Sequence, residues 1–190
     1  SNNMFPDTFT TFENNNSNNR SYNRKQTDRP DIIKKDVDIF VKDLKESKDK
    51  NNKKGTIKKY DEKKDRYLVR LQTGENVYLK INNIQQIIPA RITELKSQTE
   101  LNDEICKIFG FDKKSNRFKV ILNNTSVIGL KQENVIINKR ACIRIDNIKT
   151  NRSLNNMWGR IENFDLNQKR YIIELRDGRK IKLKQGNIFI

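Results

Sequence analysis

The chain contains no histidine, which removes imidazole acid–base catalysis and imidazole metal ligation from the functions open to it. Cysteine is almost as scarce. Cys106 and Cys142 stand alone without paired spacing, so neither a disulfide framework nor a thiolate metal site is expected, and a reducing compartment suits them best. No run of about 20 apolar residues is available to cross a bilayer, and no charged-then-apolar leader is seen. A Gly-rich phosphate loop and a nucleophile with a base partner are missing as well. These absences together predict a protein that is not an enzyme, takes no cofactor, metal or small-molecule substrate, and resides inside the cell, in nucleus or cytoplasm. Ser1 in place of Met is what a fragment would show.

What is present is a repeat. Phe164-Asp165 recurs as Phe111-Asp112 and as Tyr60-Asp61, and the same two offsets carry Arg170-Tyr171 onto Arg117-Phe118 and Arg66-Tyr67. Ile173 and Leu175 map onto Val120 and Leu122, then onto Val69 and Leu71. Leu183-Lys184 with Asn187-Ile188 map onto Leu130-Lys131 with Asn134-Val135, then onto Leu79-Lys80 with Asn83-Ile84. Upstream, Leu154-Asn155-Asn156 matches Leu101-Asn102-Asp103 and, loosely, Lys50-Asn51-Asn52. A period of this length marks a tandem array. It divides the chain into a tail, 1–35, and three units, 36–87, 88–141 and 142–190. Hydrophobic residues make up 34% of the chain and its mean hydropathy is −0.92, low for one large core but natural for small units that lean on their neighbours.

The third unit predicts its own strands. A strand over Gly159–Phe164 leads through a polar turn to Arg170–Leu175, an Asp177-Gly178 hairpin, Lys180–Lys184 with Ile181 and Leu183 inward, a turn at 185–187 and a closing strand over Ile188–Ile190. Gly74 occupies the hairpin position in the first unit. In the second, Asn123-Asn124 is expected to tolerate the positive φ. The fold expected is all-β: three small five-stranded barrels in series behind a low-complexity tail rich in Asn and Ser. Phe5, Phe9 and Phe12 punctuate that tail; they are either part of a solvated linker or a short docking peptide.

The run Ile148-Lys149, Leu154-Asn155, Gly159-Arg160-Ile161, Phe164-Asp165, Arg170-Tyr171, Ile173, Leu175, Gly178, Leu183-Lys184 and Asn187-Ile188 resembles SH3-like repeats of the KOW type and Tudor-class barrels such as the triple array of spindlin. That resemblance covers about 150 residues and implies SH3-like barrels serving ribosomal, transcription or chromatin partners, as an association of fold only. It also implies where a Tudor aromatic box for methylated side chains would lie. The corresponding residues are Leu175 and Gly178, Leu71 and Gly74, Leu122 and Thr125, none of them aromatic, with Met157 and Trp158 near a further box position in the third unit alone.

Charge supplies the functional expectation. The net charge is +16; residues 51–190 hold 30 Lys and Arg against 15 Asp and Glu, while residues 1–50 are nearly balanced. A basic folded surface calls for an acidic partner, nucleic acid, an acidic protein face or anionic lipid, although an AT-rich genome also enriches Lys, Asn and Ile. The candidate contacts are Lys180, Lys182 and Lys184 on one strand face, flanked by Arg176 and Arg179, with a second cluster at Lys53, Lys54, Lys58, Lys59, Lys63 and Lys64. Alternate residues of a strand lie ~6.8 Å apart, close to the ~7 Å between phosphates along a nucleic-acid strand; a plain solvated face would look the same. Tyr60, Phe111 and Phe164, with Tyr67, Phe118 and Tyr171, are expected in cores rather than stacked on bases. Asp61, Asp112 and Asp165 should cap turns, and Asn83, Asn134 and Asn187 should do the same at the closing turn. Binding of nucleic acid, or of a complex that contains it, is the first expectation. The alternatives are a protein adaptor using Trp158, Val127 and Ile128, in which charge is incidental, and a spacer without ligand.

Overall fold

The computed structural model describes residues 28–190. Phe5, Phe9 and Phe12 lie outside them. The described chain is all-β, with short 3-10 turns and no α-helix. Unit 1 runs β1 (Asp38–Val41), β2 (Lys54–Asp61), β3 (Arg66–Leu71), β4 (Asn76–Leu79) and β5 (Ile84–Gln86). Unit 2 runs β6 (Ile88–Ile92), β7 (Ile105–Asp112), β8 (Arg117–Ile121), β9 (Val127–Leu130) and β10 (Val135–Ile137). Unit 3 runs β11 (Cys142–Ile145), β12 (Trp158–Asp165), β13 (Arg170–Leu175), β14 (Lys180–Lys184) and β15 (Ile188–Phe189). Each forms one antiparallel five-stranded sheet whose first strand pairs with both the second and the fifth; in unit 3 the order is β14-β13-β12-β11-β15. Strands four and five stand at opposite edges, so hydrogen bonds do not close the sheets into rings.

Alternation of apolar and polar residues makes each strand, and the buried set is the repeated set: Val69 and Leu71, Val120, Ile173 and Leu175. Tyr67, Phe118 and Tyr171 are buried, and each packs against the ring opposite it, Tyr60, Phe111 or Phe164, at 4.8–5.6 Å between centroids. These rings therefore serve the cores. Register shifts between Ile57 and Lys59, Ile108 and Gly110, and Ile161 and Asn163 place one bulged residue at the same point of every second strand.

The repeated asparagines explain the long loop. Asn51, Asn102 and Asn155 each donate from the side-chain amide to the carbonyl of Leu44, Leu95 or Ile148 and accept from that same residue's N–H, at 2.8–3.2 Å. The next residues, Asn52, Asp103 and Asn156, sit at φ of 66 to 69° and return the chain to the first strand. Asn83, Asn134 and Asn187 differ from the expected turn caps. Their amides donate to the carbonyls of Lys42, Thr93 and Asp146, tying the closing turn to the end of the first strand 41 residues earlier. Asp61, Asp112 and Asp165 do accept turn N–H groups as expected.

The units share their interiors. One continuous core links units 2 and 3, from Ile88 to Ile188; the other holds unit 1 together with Ile32, Ile33 and Cys142. Gln132 donates to the carbonyl of Ile188, and Gln185 returns the contact to the carbonyl of Val135. The segment over 1–35 expected to lie outside the units thus ends inside one. Ile33 donates to the Tyr67 hydroxyl at 3.1 Å as Ile137 donates to that of Tyr171 at 2.9 Å, and Asp36 and Arg140, at φ of 70° and 72°, turn in the same way. Residues 29–36 stand to unit 1 as the end of unit 2 stands to unit 3, with aliphatic burial as the driving force.

Candidate functional site

The lysine stripe lies where alternation places it. On β14 Lys180, Lys182 and Lys184 are exposed while Leu183 is buried and Ile181 half-buried. Its two ends differ electrostatically. Lys180 pairs with Glu162 at 2.9 Å and stands opposite Glu174 in the register; Arg179 pairs with Asp177 at 2.7 Å; Arg176 approaches Asp31 at 4.0 Å. Two of the five expected contacts, Lys180 and Arg179, are thereby compensated by carboxylates, and the Asp31 near Arg176 is already held by Arg29 at 2.7 Å. Among the described residues Lys182 bonds the neutral Gln168, at 3.1 Å, and Lys184 stands opposite Arg170.

Around Lys184 the surface is concave on both sides. A shelf of about 560 Å³ is lined by Lys149, Arg170, Lys182 and Lys184 with Asn147, Asn151 and Asn187, and among the described residues no carboxylate lines it. A groove of about 820 Å³ between units 2 and 3 adds Lys96, Arg117, Lys131 and Lys169, against Glu94 and Glu133. Those acids are engaged: Lys169 bonds Glu94 and holds its carboxyl below the usual range, and Lys131 lies 3.8 Å from Glu133. Arg170, Lys184 and Asn187 belong to both concavities, so they form one basic surface. Lys149, Arg170 and the groove cations were not singled out by the sequence. Their signal is weak, because Arg170 recurs as Arg117 and Arg66 and reads as part of the repeat.

The second cluster does not converge. Lys54 leans on Asp38 at 3.5 Å, Lys64 lies 3.9 Å from the Tyr78 ring, Lys58 is the bulged residue, and Lys53, Lys59 and Lys63 are exposed at separate points. Of the candidate protein contacts, Val127 is 61% exposed on the edge strand β9, Ile128 packs on the core, and Trp158 is half-buried against the core of unit 1.

Neither thiol is poised to react. Burial pushes Cys106 up to about 11 and Cys142 further. Among the described residues no group of three or more Cys, Asp or Glu is placed to hold a metal, and no helix is long and apolar enough to cross a membrane. No protein-family model matches the chain, and no curated protein sequence matches it.

Proposed function

We propose that the chain is a non-catalytic binding scaffold of three SH3-like barrels that takes nucleic acid across unit 3 and the groove between units 2 and 3. The barrel reading draws on the shared strand order, the bulged second strand and the 3-10 turn before each closing strand. The binding reading is carried by the carboxylate-free shelf of Lys149, Arg170, Lys182 and Lys184. Of these four, Arg170 stands opposite Asp165 in the register, while no ion pair ties Lys149, Lys182 or Lys184 among the described residues; such a surface fits a phosphate chain, which would release its counterions on it. The stripe contributes through its Lys184 end, since Lys180 and Arg179 already face carboxylates.

The test is fluorescence anisotropy of a labelled single-stranded RNA with the full chain and with a Lys182→Glu/Lys184→Glu variant. The variant is expected to bind at least about tenfold more weakly, whereas Lys180→Glu alone costs less than about threefold. Equal affinity in all three proteins would sink the reading. Binding of an acidic protein with no RNA binding would replace it by the adaptor reading, for which the exposed edge strand β9 with Val127 is the available surface.

A further inference from the structure

A third concavity lies where all three units meet, and its composition is not repeated anywhere else in the array. It encloses about 530 Å³. Its floor is a cross-strand row on sheet 3: Trp158 on β12, Arg144 on β11 and Phe189 on β15 are directly opposite one another. The equivalent row is Lys54, Phe40 and Gln85 in unit 1, and Ile105, Arg91 and Ile136 in unit 2. Cross-strand neighbours of this kind are in side-chain contact. The Arg144 guanidinium lies 5.2 Å from the Phe189 ring centroid, and Phe111 of unit 2 meets Phe189 edge-on at 5.0 Å.

Each unit brings one cation to this cleft: Lys42 after β1, Lys113 in the turn after β7, and Arg144. Arg144 is tied to Asp146 at 2.7 Å and to Asn156 at 3.1 Å, so it neutralises the one acidic side chain that lines the cleft among the described residues and fixes the row. Lys42 and Lys113 form no ion pair among the described residues. Burial lowers the affinity of Lys42 for its proton; Asp43 opposes it, and the weaker positive fields of Arg144 and Lys113 add to it. Two cations lining one cleft beside a half-buried indole make a surface suited to an anion.

We propose that the cleft takes one nucleotide of a single-stranded nucleic acid, its base laid on the open part of Trp158 and its phosphate between Lys42 and Lys113. Every base offers a flat face to an aromatic side chain, and the paired cations suit a backbone phosphate. A duplex keeps its bases stacked inside and cannot present one. The inference rests on the nucleic-acid reading above and adds the strand state and a second contact point.

Trp158 is the chain's one tryptophan, so its fluorescence reports this cleft by itself. The full chain is titrated with hexauridylate, inorganic phosphate and hexaglutamate, and with a duplex of equal length. Saturable quenching by hexauridylate well above that by the duplex is expected. A Lys42→Gln/Lys113→Gln variant, which leaves the aromatic row in place, should need about five- to tenfold more ligand for half-quenching. If anisotropy shows the oligonucleotide bound while Trp158 fluorescence stays unchanged, the cleft proposal falls and the unit 3 surface stands. If neither signal responds, both fall. Quenching by hexaglutamate equal to that by hexauridylate would overturn the nucleotide assignment and make the cleft a site for acidic peptide. Quenching by hexauridylate that the double variant leaves unchanged would overturn the role of the two lysines.

Discussion

Thr125 occupies the hairpin position that Gly74 and Gly178 hold in the other units, at φ of 69° against their 88°. All three loops make the same two bonds; in unit 2 Leu122 donates to the carbonyl of Ser126 and Thr125 donates to that of Leu122. A β-branched residue in the left-handed region costs roughly 1–2 kcal/mol, while glycine's extra freedom in the unfolded chain returns only ~0.5–1 kcal/mol of that. Thr125→Gly should therefore stabilise the protein by about 0.5–1 kcal/mol in urea denaturation, and a loss of stability would show that the threonine side chain is engaged. The sequence alignment of the units marks Thr125 as the glycine equivalent, but the neighbouring asparagines draw the positive φ toward themselves when turn chemistry alone is weighed. Gly55 and Gly159 show the opposite case. A Cβ there would meet Val69 or Ile173 at 2.7 or 2.6 Å, a close approach that a list of residue types does not display and that Cys106, at the same repeat position, shows to be local to units 1 and 3.

At the scale of the element, strand positions were legible because the side-chain period is two and the same alternation appears three times. β13 and β14 fall on the expected residues, and β12 extends the expected strand by one residue at each end. The bulges were not legible, since a single inserted residue leaves the alternation intact on either side. The long loop between the first two strands of each unit reads as irregular, yet it is pinned by one asparagine. Asn155→Ala removes both bonds to Ile148 and leaves a half-buried N–H and carbonyl without partners, at a cost of about 1.5–3 kcal/mol. Asn163→Ala, on the exposed side of β12, should change stability by less than ~0.5 kcal/mol. Equal effects of the two substitutions in thermal or urea unfolding would contradict the clamp. The repeat made Asn155 conspicuous; its role depends on a backbone path that no spacing reveals.

For the whole molecule, the sequence showed three copies but not how they join. The Tyr67 and Tyr171 hydroxyls each take an N–H from the segment preceding their unit, whereas Phe118 has no hydroxyl, and β6 starts after a single residue beyond β5 while four residues separate β10 from β11. That alternation places Lys42, Lys113 and Arg144 at one junction and Arg170, Lys184 and Lys131 at another, which no reading of a single copy could foresee. It also shows why net charge alone overstates the stripe: Glu162 on β12 pairs with Lys180 and Asp177 in the hairpin turn pairs with Arg179.

In the proposed function the cations around Lys184 bind a phosphate backbone. Its most direct measurement is the affinity of the full chain for a single-stranded oligonucleotide between about 50 and 200 mM salt, because four phosphate contacts give a slope of about −2.8 in log affinity against log salt and a loss near 50-fold. The Lys182→Glu/Lys184→Glu variant should show at most about half that slope. A slope near zero, or the same slope in both proteins, would contradict the account.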